Sequence, residues 1–380
     1  MQRCDWTGLP DDILSMCLTT YVCRSVCNAF RRVFDSHNTT LRRDKTTPSK
    51  PANSGTECCN ARSKCPRCLW TPDAPTSSTR CLGFRPRKKM RRLEVHATDM
   101  IVAPLEAFSG IVQANLRRSG IQDVSGLRSC GALVTLDLSG NPVNDLAPLS
   151  ACIGLVTLDL SWTNVDDVSP LASCTGLTAL NLNVTQVCQV SPLTVCTRLT
   201  TLNLEFTGVA DVAPLATCVI LAELNLNSTR VRNVSALATC VRLVTIVLNR
   251  EVSDMSAFAS CTRLVSLYAS SSLVSDVSAL ATGACLTSLD LSGTSVFDVS
   301  PLSACTSLSV LDLNRSRVVD VSPLAACTEL THLYLSCTEV TDVSPLASCT
   351  NLQLVDLRRT PVVDLTFSRV CKRLKTMLLF

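Results

Sequence analysis

The sequence has few of the residue types on which most enzyme active sites depend. Its 380 residues include three histidines, and they contain neither a glycine-rich phosphate loop nor a spacing typical of a nucleophile and its base. Because histidine is the usual acid–base group near neutral pH, its scarcity leaves little for general acid–base catalysis. We therefore expect a protein that is not an enzyme and that requires no cofactor.

Long apolar runs are also missing. No stretch reaches the ~18 consecutive apolar residues of a membrane span, and the opening residues MQRCDWTGLPDDIL have neither the basic segment nor the apolar core of a signal peptide. The 23 cysteines would suit a secreted, disulfide-rich protein. Without a secretion signal, we instead expect mostly reduced thiols in a cytoplasmic protein that does not contact a membrane.

Charge divides the chain into two parts. Residues 1–92 hold 18 Lys and Arg against 7 Asp and Glu, whereas residues 93–380 hold 17 against 24. The larger part is acidic, which argues against nucleic acid as its ligand.

A fixed period dominates the acidic part. Segments that read D-V-S-P-L recur every 22 residues, with one step of 21, and most follow an L-x-x-L-x-L pattern. This period indicates stacked units, and the alternating L-x-L is typical of a short strand with one buried side. Neighbouring units should therefore align their strands in a parallel sheet over one elongated core. The leading acid or its substitute is Asp123, Asp145, Asp167, Gln189, Asp211, Asn233, Asp254, Asp276, Asp298, Asp320, Asp342 or Asp364.

Each unit continues with turn and helix signals. The acid can accept hydrogen bonds from backbone N–H groups of a bend, and Ser or Thr follows two residues later in ten of the twelve units. Ser before Pro predicts an N-cap and the first helical residue. Only about one turn fits before the next strand, so we expect short or 3₁₀ helices.

Cysteine stands seven residues after the acid in eleven of the twelve units. A metal or disulfide ladder is one explanation of this spacing, and a small residue buried at one repeated core position is the other. We favour the second, because free cysteine packs as a small hydrophobe.

The unit L-x-x-L-x-L-x-x-T-x-V-x-D-V-S-P-L-A-x-C-T-x resembles the leucine-rich repeat of bacterial internalins and of phosphatase-regulating repeat proteins. Thr replaces the family's usual Asn in most units, and only Asn141 matches the family. With the cysteines, this is most similar to the Thr- and Cys-rich leucine-rich repeat proteins of kinetoplastid protozoa. The resemblance implies an α/β leucine-rich repeat solenoid, with a curved parallel β-sheet on its concave face and short or 3₁₀ helices on its convex face. About 12 repeats and a partial last one would fill residues 93–380 and bind another protein.

Strand residues that point away from the core should form the concave face. Two residues after the second Leu, three successive units carry Trp162, Val184 and Phe206, and large aromatics on a rigid surface are typical interface anchors. Local packing over the strand edge is the alternative. Between the leucines, stacked Asp side chains should repel one another, and a cationic partner would relieve this. The predicted partner-binding residues are Trp162, Val184, Glu205, Phe206, Tyr268, Arg315, His332, Tyr334, Arg358 and Arg359.

One unit is irregular. Three residues, Asn249, Arg250 and Glu251, separate Leu248 from Val252 where other units have four. We expect the deletion to kink or loosen the stack locally, and sequence drift in a tolerant repeat is the alternative.

Residues 1–36 carry a second resemblance. The sequence L-P-D-D-I-L followed by V-C-x-x-F-R-R-x-F is similar to an F-box, with fewer residues between its two halves than the family usually has. The resemblance implies a small helical segment in which Leu9, Pro10, Ile13 and Leu14 contact a Skp-type adaptor. A short amphipathic helix pair that covers the first repeat is the alternative.

Residues 37–92 have the composition of a basic linker rich in Cys, Pro, Ser and Thr. Cys58, Cys65, Cys68 and Cys81 include a single C-x-x-C, whereas a structural zinc site usually has two such pairs or histidine partners, so we predict no metal site. The run R-P-R-K-K-M-R-R at residues 85–92 resembles a nuclear import signal, and a solvated linker is its alternative.

Two functions follow from these patterns. The first is a non-catalytic scaffold that binds a partner protein on the concave face. The second is an F-box-type substrate receptor of a cullin-RING ubiquitin ligase.

Overall fold

A computed structural model describes residues 81–82, 91–94, 100–101 and 109–379 of the chain. The F-box-like segment, most of the basic linker and the predicted adaptor-binding residues Leu9, Pro10, Ile13 and Leu14 lie outside these residues.

Short parallel strands form two sheets, and most of them stack in chain order into one long sheet. The strands are β1 (Cys81–Leu82), β2 (Arg92–Glu94), β3 (Met100–Ile101), β4 (Gln113–Asn115), β5 (Thr135–Asp137), β6 (Thr157–Asp159), β7 (Ala179–Asn181), β8 (Thr201–Asn203), β9 (Glu223–Asn225), β10 (Thr245–Val247), β11 (Ser266–Tyr268), β12 (Ser288–Asp290), β13 (Val310–Asp312), β14 (His332–Tyr334), β15 (Leu354–Asp356) and β16 (Thr376–Leu378). A 14-stranded sheet runs from β2 and β4 to β16, while β1 pairs with β3. The register joins equivalent residues, as in Leu136↔Leu158, which confirms the predicted leucine-rich repeat solenoid.

A 3₁₀ helix follows each strand from β4 to β15, as predicted. The helices are Ser125–Ser129, Ala147–Ala151, Ser169–Ser173, Ser191–Val195, Ala213–Thr217, Ser235–Thr239, Ser256–Ser260, Ser278–Thr282, Ser300–Ala304, Ser322–Ala326, Ser344–Ser348 and Thr366–Arg369.

The leading acid of the repeat, or Asn233 in its place, closes the bend before the helix. Asp123 Oδ1 accepts from the N–H of Ser125 at 2.8 Å, and the same bond recurs at Asn233, where Oδ1 accepts from Ser235 at 2.9 Å. The predicted Ser N-cap is wrong. Ser169 is the first residue of its helix, and its hydroxyl donates to Asp167 Oδ2 at 2.7 Å, because the acid already accepts from the N–H of that serine.

The core is one continuous column of Leu, Val and Cys side chains. Leu158, Leu160 and Val165 are fully buried, and equivalent residues are buried along the solenoid. The repeated cysteines are buried in this column. Cys152 Sγ donates to the Leu127 carbonyl of the preceding repeat at 3.3 Å. The preferred small-residue explanation of the cysteines therefore agrees with their burial.

The threonine that most repeats carry after the strand uses its hydroxyl to bind a local carbonyl. Thr207 Oγ1 donates to the Leu204 carbonyl at 2.6 Å, and the other repeats with this Thr form the same bond. Asn141 does more: its Nδ2 donates to the Leu116 and Leu138 carbonyls at 2.8 Å, thereby joining two repeats.

Candidate functional site

Four columns of side chains cover the outer side of the sheet, and we call this area the concave surface. In one repeat, the four columns are represented by Thr201, Asn203, Glu205 and Phe206. Thr201 precedes the L-x-L pair, Asn203 lies between its two leucines, and Glu205 and Phe206 follow it. Because neighbouring strands lie ~4.8 Å apart, equivalent side chains form closely spaced rows along the solenoid.

The fourth column has a left-handed backbone conformation. Its non-glycine residues include Trp162 at φ 60°, Val184 at 53° and Phe206 at 52°, and its glycines are Gly140 and Gly293. A left-handed conformation costs an L-residue ~1–2 kcal/mol. The ladder of backbone hydrogen bonds imposes this conformation. The N–H groups of Trp162 and Val184, for example, donate at 2.9 Å to carbonyls of the next repeat.

Trp162, Val184 and Phe206 form three successive positions of this column, and we call them the apolar row. Trp162 is 58% exposed, so its ring projects into solvent, while Val184 and Phe206 are half-buried. The predicted alternative of packing over the strand edge therefore fits Phe206 better than Trp162. A bulky residue at each position keeps the backbone strain that glycine would remove.

Glu205 lies beside the apolar row and is 5% exposed. Its carboxylate accepts from Asn225 Nδ2 at 3.2 Å and from Asn227 Nδ2 at 3.0 Å. Burial raises its pKa despite these two bonds. Glu205 thus presents a shielded carboxylate whose donors come from the next repeat, a contact that only stacking can create.

The column between the leucines brings acids into register, as predicted. Asp159 is paired with Asp137, and burial together with the Asp137 charge raises the pKa of Asp159 to about 6. Asp312 is paired with Asp290, and burial followed by the Asp290 charge raises its pKa to about 7. Each pair is therefore disfavoured in its doubly charged form.

The far end of the concave surface is basic. Arg315 and Arg359 are exposed and occupy the left-handed column at φ 56°. Arg358 instead forms an ion pair with buried Asp356, with 2.7 Å between Nη2 and Oδ2. A groove of about 560 Å³ lies between Ser271 and Arg359; we call it the arginine groove.

The remaining predicted residues lie on two strands in the region of the arginine groove. Tyr268, Tyr334 and His332 are half-buried on β11 and β14, and Thr331 Oγ1 lies 2.9 Å from His332 Nδ1. The sequence did not single out Ser270 or Ser292, which line the arginine groove. The run of small residues Ser270–Ser272 could have indicated a hollow there.

The irregular repeat divides the concave surface. In the described part of the chain, residues with positive φ pass from Ser228 directly to Ser271, so the deletion removes one left-handed residue. Asn249 fills the gap: it is 1% exposed and donates to the Val231 carbonyl at 2.7 Å. Glu251 pairs with Arg232 at 2.8 Å on the surface. The apolar row and the arginine groove are therefore separate parts of the surface.

The described part of the chain contains neither a metal-binding cluster nor a membrane-spanning helix. Within residues 109–379 and the short strands before them, no group of three His, Cys, Asp or Glu side chains could hold a metal ion. No helix in the described ranges has the length and apolar character needed to cross a membrane.

Neither a family model nor a curated protein matches the chain. Solved structures do. An internalin, inlF, from Listeria monocytogenes superposes with a TM-score of 0.71 and 27% sequence identity over 73% of this chain and 83% of that chain. The functional domain of InlJ from the same organism, which includes a cysteine ladder, gives a TM-score of 0.60 and 19% identity over 72% of this chain and 64% of that chain.

A plant protein shares the same repeat architecture. The ectodomain of the receptor kinase GASSHO1/SCHENGEN3 from Arabidopsis thaliana, solved in complex with CASPARIAN STRIP INTEGRITY FACTOR 2, has a TM-score of 0.59 and 18% identity. The match covers 76% of this chain and 40% of that chain. These similarities support the leucine-rich repeat fold.

Proposed function

We propose that the protein is a non-catalytic scaffold that binds a partner protein on its concave surface, centred on the apolar row. The observation that carries this proposal is the exposure of Trp162 on a strained backbone. A surface tryptophan that is 58% exposed offers a large apolar area, and aromatic side chains of this kind dominate protein interfaces.

Strain gives a second argument. Glycine already occupies the left-handed column at Gly140 and Gly293, so the fold accepts the least strained residue there. Bulky residues at Trp162, Val184 and Phe206 reduce stability without filling the core, and strained positions of this kind cluster at functional sites. The solved complex of the plant ectodomain supports the idea that such a solenoid can hold a protein ligand.

Affinity purification of tagged full-length protein, followed by quantitative mass spectrometry, tests the proposal. The variant Trp162→Ala with Phe206→Ala should lose a co-purifying protein that the wild type retains. A matched control is Ile153→Ala with Phe297→Ala, because these two apolar residues are each 66% exposed but lie outside the concave surface. Equal recovery of every protein by both double variants would contradict the proposal, provided that thermal melts show all variants folded.

We propose a second role for residues 1–36, which is docking to a Skp-type adaptor of a cullin-RING ubiquitin ligase. The motif L-P-D-D-I-L with Leu9, Pro10, Ile13 and Leu14 supports it. Deletion of residues 1–36 should remove adaptor and cullin from the purified complex and lengthen the lifetime of a bound partner. Absence of both proteins from the full-length purification would contradict this role.

We also propose that the protein acts in the cytoplasm and that residues 85–92 direct import into the nucleus. The cluster of Arg and Lys supports import. Its replacement by Ser should shift a fluorescent fusion out of the nucleus. The kinetoplastid resemblance likewise remains a prediction from the Thr and Cys positions.

A further inference from the structure

We propose that the arginine groove binds a phosphorylated side chain of the partner protein, with Arg315 and Arg359 as the groups that hold the phosphate. This inference rests on the proposed function, because it names one chemical feature of the partner. It concerns a part of the concave surface that the irregular repeat separates from the apolar row.

Neither of the two arginines is held in an ion pair within the described part of the chain. Within the described residues, the side chains of Arg315 and Arg359 form neither an ion pair nor a hydrogen bond, whereas Arg358 donates from Nε to Asp356 Oδ1 at 2.9 Å. Arg315 and Arg359 occupy the same column two repeats apart, so their backbones are ~10 Å from each other. Guanidinium groups on side chains of this length can converge on one anion between them.

Small residues create the space for that anion. Ser271 and Gly293 occupy the column before Arg315, and a Cβ atom on Gly293 would lie 3.2 Å from Ser271 Oγ. The hydroxyls of Ser270 and Ser292 lie 2.8 Å apart on the groove wall. Hydroxyl donors beside paired guanidiniums are suited to the three acceptor oxygens of a phosphate.

The acids at the groove compensate only part of the positive charge. Asp356 is already paired with Arg358, and Asp312 lies among the lining residues with Asp290 as its neighbour on β12. Asp312 is thus the one lining acid whose charge would oppose an anion. Its conversion to a neutral amide should strengthen anion binding.

Phosphate fits the groove better than a carboxylate does. A phosphorylated side chain carries about two negative charges near neutral pH, and it can accept from both arginines at once. A Glu side chain offers one charge and two oxygens, which one guanidinium already satisfies. The groove should therefore distinguish phosphoserine from glutamate.

Fluorescence anisotropy on the full-length protein tests this inference. The probe is a fluorescein-labelled Gly- and Ser-rich peptide with one central phosphoserine, compared at 0.15 M salt with the same peptide carrying serine or glutamate. We expect the phosphopeptide to bind at least about tenfold more tightly than either, which is the effect of one additional charge-assisted contact. Equal binding of the three peptides would overturn the inference. If the glutamate peptide bound as tightly as the phosphopeptide, the ligand would be any acidic side chain, and the inference as stated would also be overturned.

Matched variants show whether the two arginines hold the phosphate. Arg315→Gln and Arg359→Gln should each weaken phosphopeptide binding about tenfold. Arg317→Gln removes an exposed arginine of the same repeat that does not line the groove, and it should change binding less than about twofold because solvent and salt screen it. A similar loss in all three variants would reveal unspecific attraction and contradict the assignment.

Two further variants distinguish phosphopeptide binding in the groove from partner capture by the apolar row. Asp312→Asn should tighten phosphopeptide binding, and a weaker complex would contradict the inference. Trp162→Ala with Phe206→Ala should abolish partner capture but leave phosphopeptide binding intact. One outcome separates the two proposals. If partner capture needs the apolar row but the protein binds the phosphoserine and serine peptides equally, the groove assignment fails and the proposed function stands.

Discussion

Replacement of Asp312 by Asn should stabilise the solenoid, and more strongly at high pH. Asp312 Oδ1 accepts from the Asn314 N–H at 2.9 Å. The same bond is made by an amide oxygen elsewhere in the column, where Asn203 accepts from the Glu205 N–H at 2.9 Å. Asparagine can therefore keep the native hydrogen bond while it removes a partly buried charge next to Asp290.

The magnitude follows from the proton equilibrium of Asp312. Burial and the Asp290 charge raise its pKa from 3.8 to about 7, so the folded chain holds this proton more tightly than the unfolded chain. The stability that this proton contributes is complete below pH 3.8 and is lost as the pH rises through 7. Between pH 5 and pH 8 the free energy of unfolding of the wild type should fall by about 2 kcal/mol relative to that of the variant, after allowance for solvent at the groove.

Urea unfolding of both proteins at pH 5 and pH 8 measures this difference. Asp356→Asn is the matched control, because Asp356 is buried and paired with Arg358. Loss of this ion pair should lower the free energy of unfolding by ~1.5–3 kcal/mol. A stabilisation by Asp312→Asn that does not change with pH, or stabilisation by both variants, would refute the reasoning.

Two other predictions concern the left-handed column and the core thiols. Gly293→Ala should lower the urea midpoint, with a loss of ~1–2 kcal/mol in the free energy of unfolding, because Gly293 has φ +67°. The control Ser271→Gly should not lower it. An unchanged midpoint for Gly293→Ala would disprove the backbone strain. Burial raises the pKa of Cys196 to about 11. Cys196 should therefore react with iodoacetamide at pH 8 far more slowly than exposed Cys285, which peptide mapping would measure. Equal rates would contradict the burial of Cys196.

The repeat architecture could be predicted because each position has a local chemical reason. Leu160 and Val165 follow a strand-and-turn pattern, and Asp167 has the hydrogen-bonding capacity that a bend requires. The serine N-cap failed for a local reason as well. Asp167 accepts from the N–H of Ser169, so the serine becomes the first residue of the helix instead of its cap.

The properties of the concave surface depend on neighbouring repeats and were harder to predict. Trp162 adopts φ 60° because its N–H pairs with the Asn183 carbonyl of the next repeat; Gly140 and Gly293 in the same column were the available signal. Glu205 is buried because Asn225 and Asn227 donate to it. Such contacts exist only after the repeats have stacked, and no single unit encodes them.

Hydroxyl-radical footprinting of the purified partner complex tests the central claim most directly, because it requires no mutation. Trp162 and Phe206 should be protected when the partner is bound, whereas Phe297, which is 66% exposed outside the concave surface, should oxidise at the same rate with and without it. Protection of Phe297 together with unchanged oxidation of Trp162 would place the partner elsewhere and contradict the account.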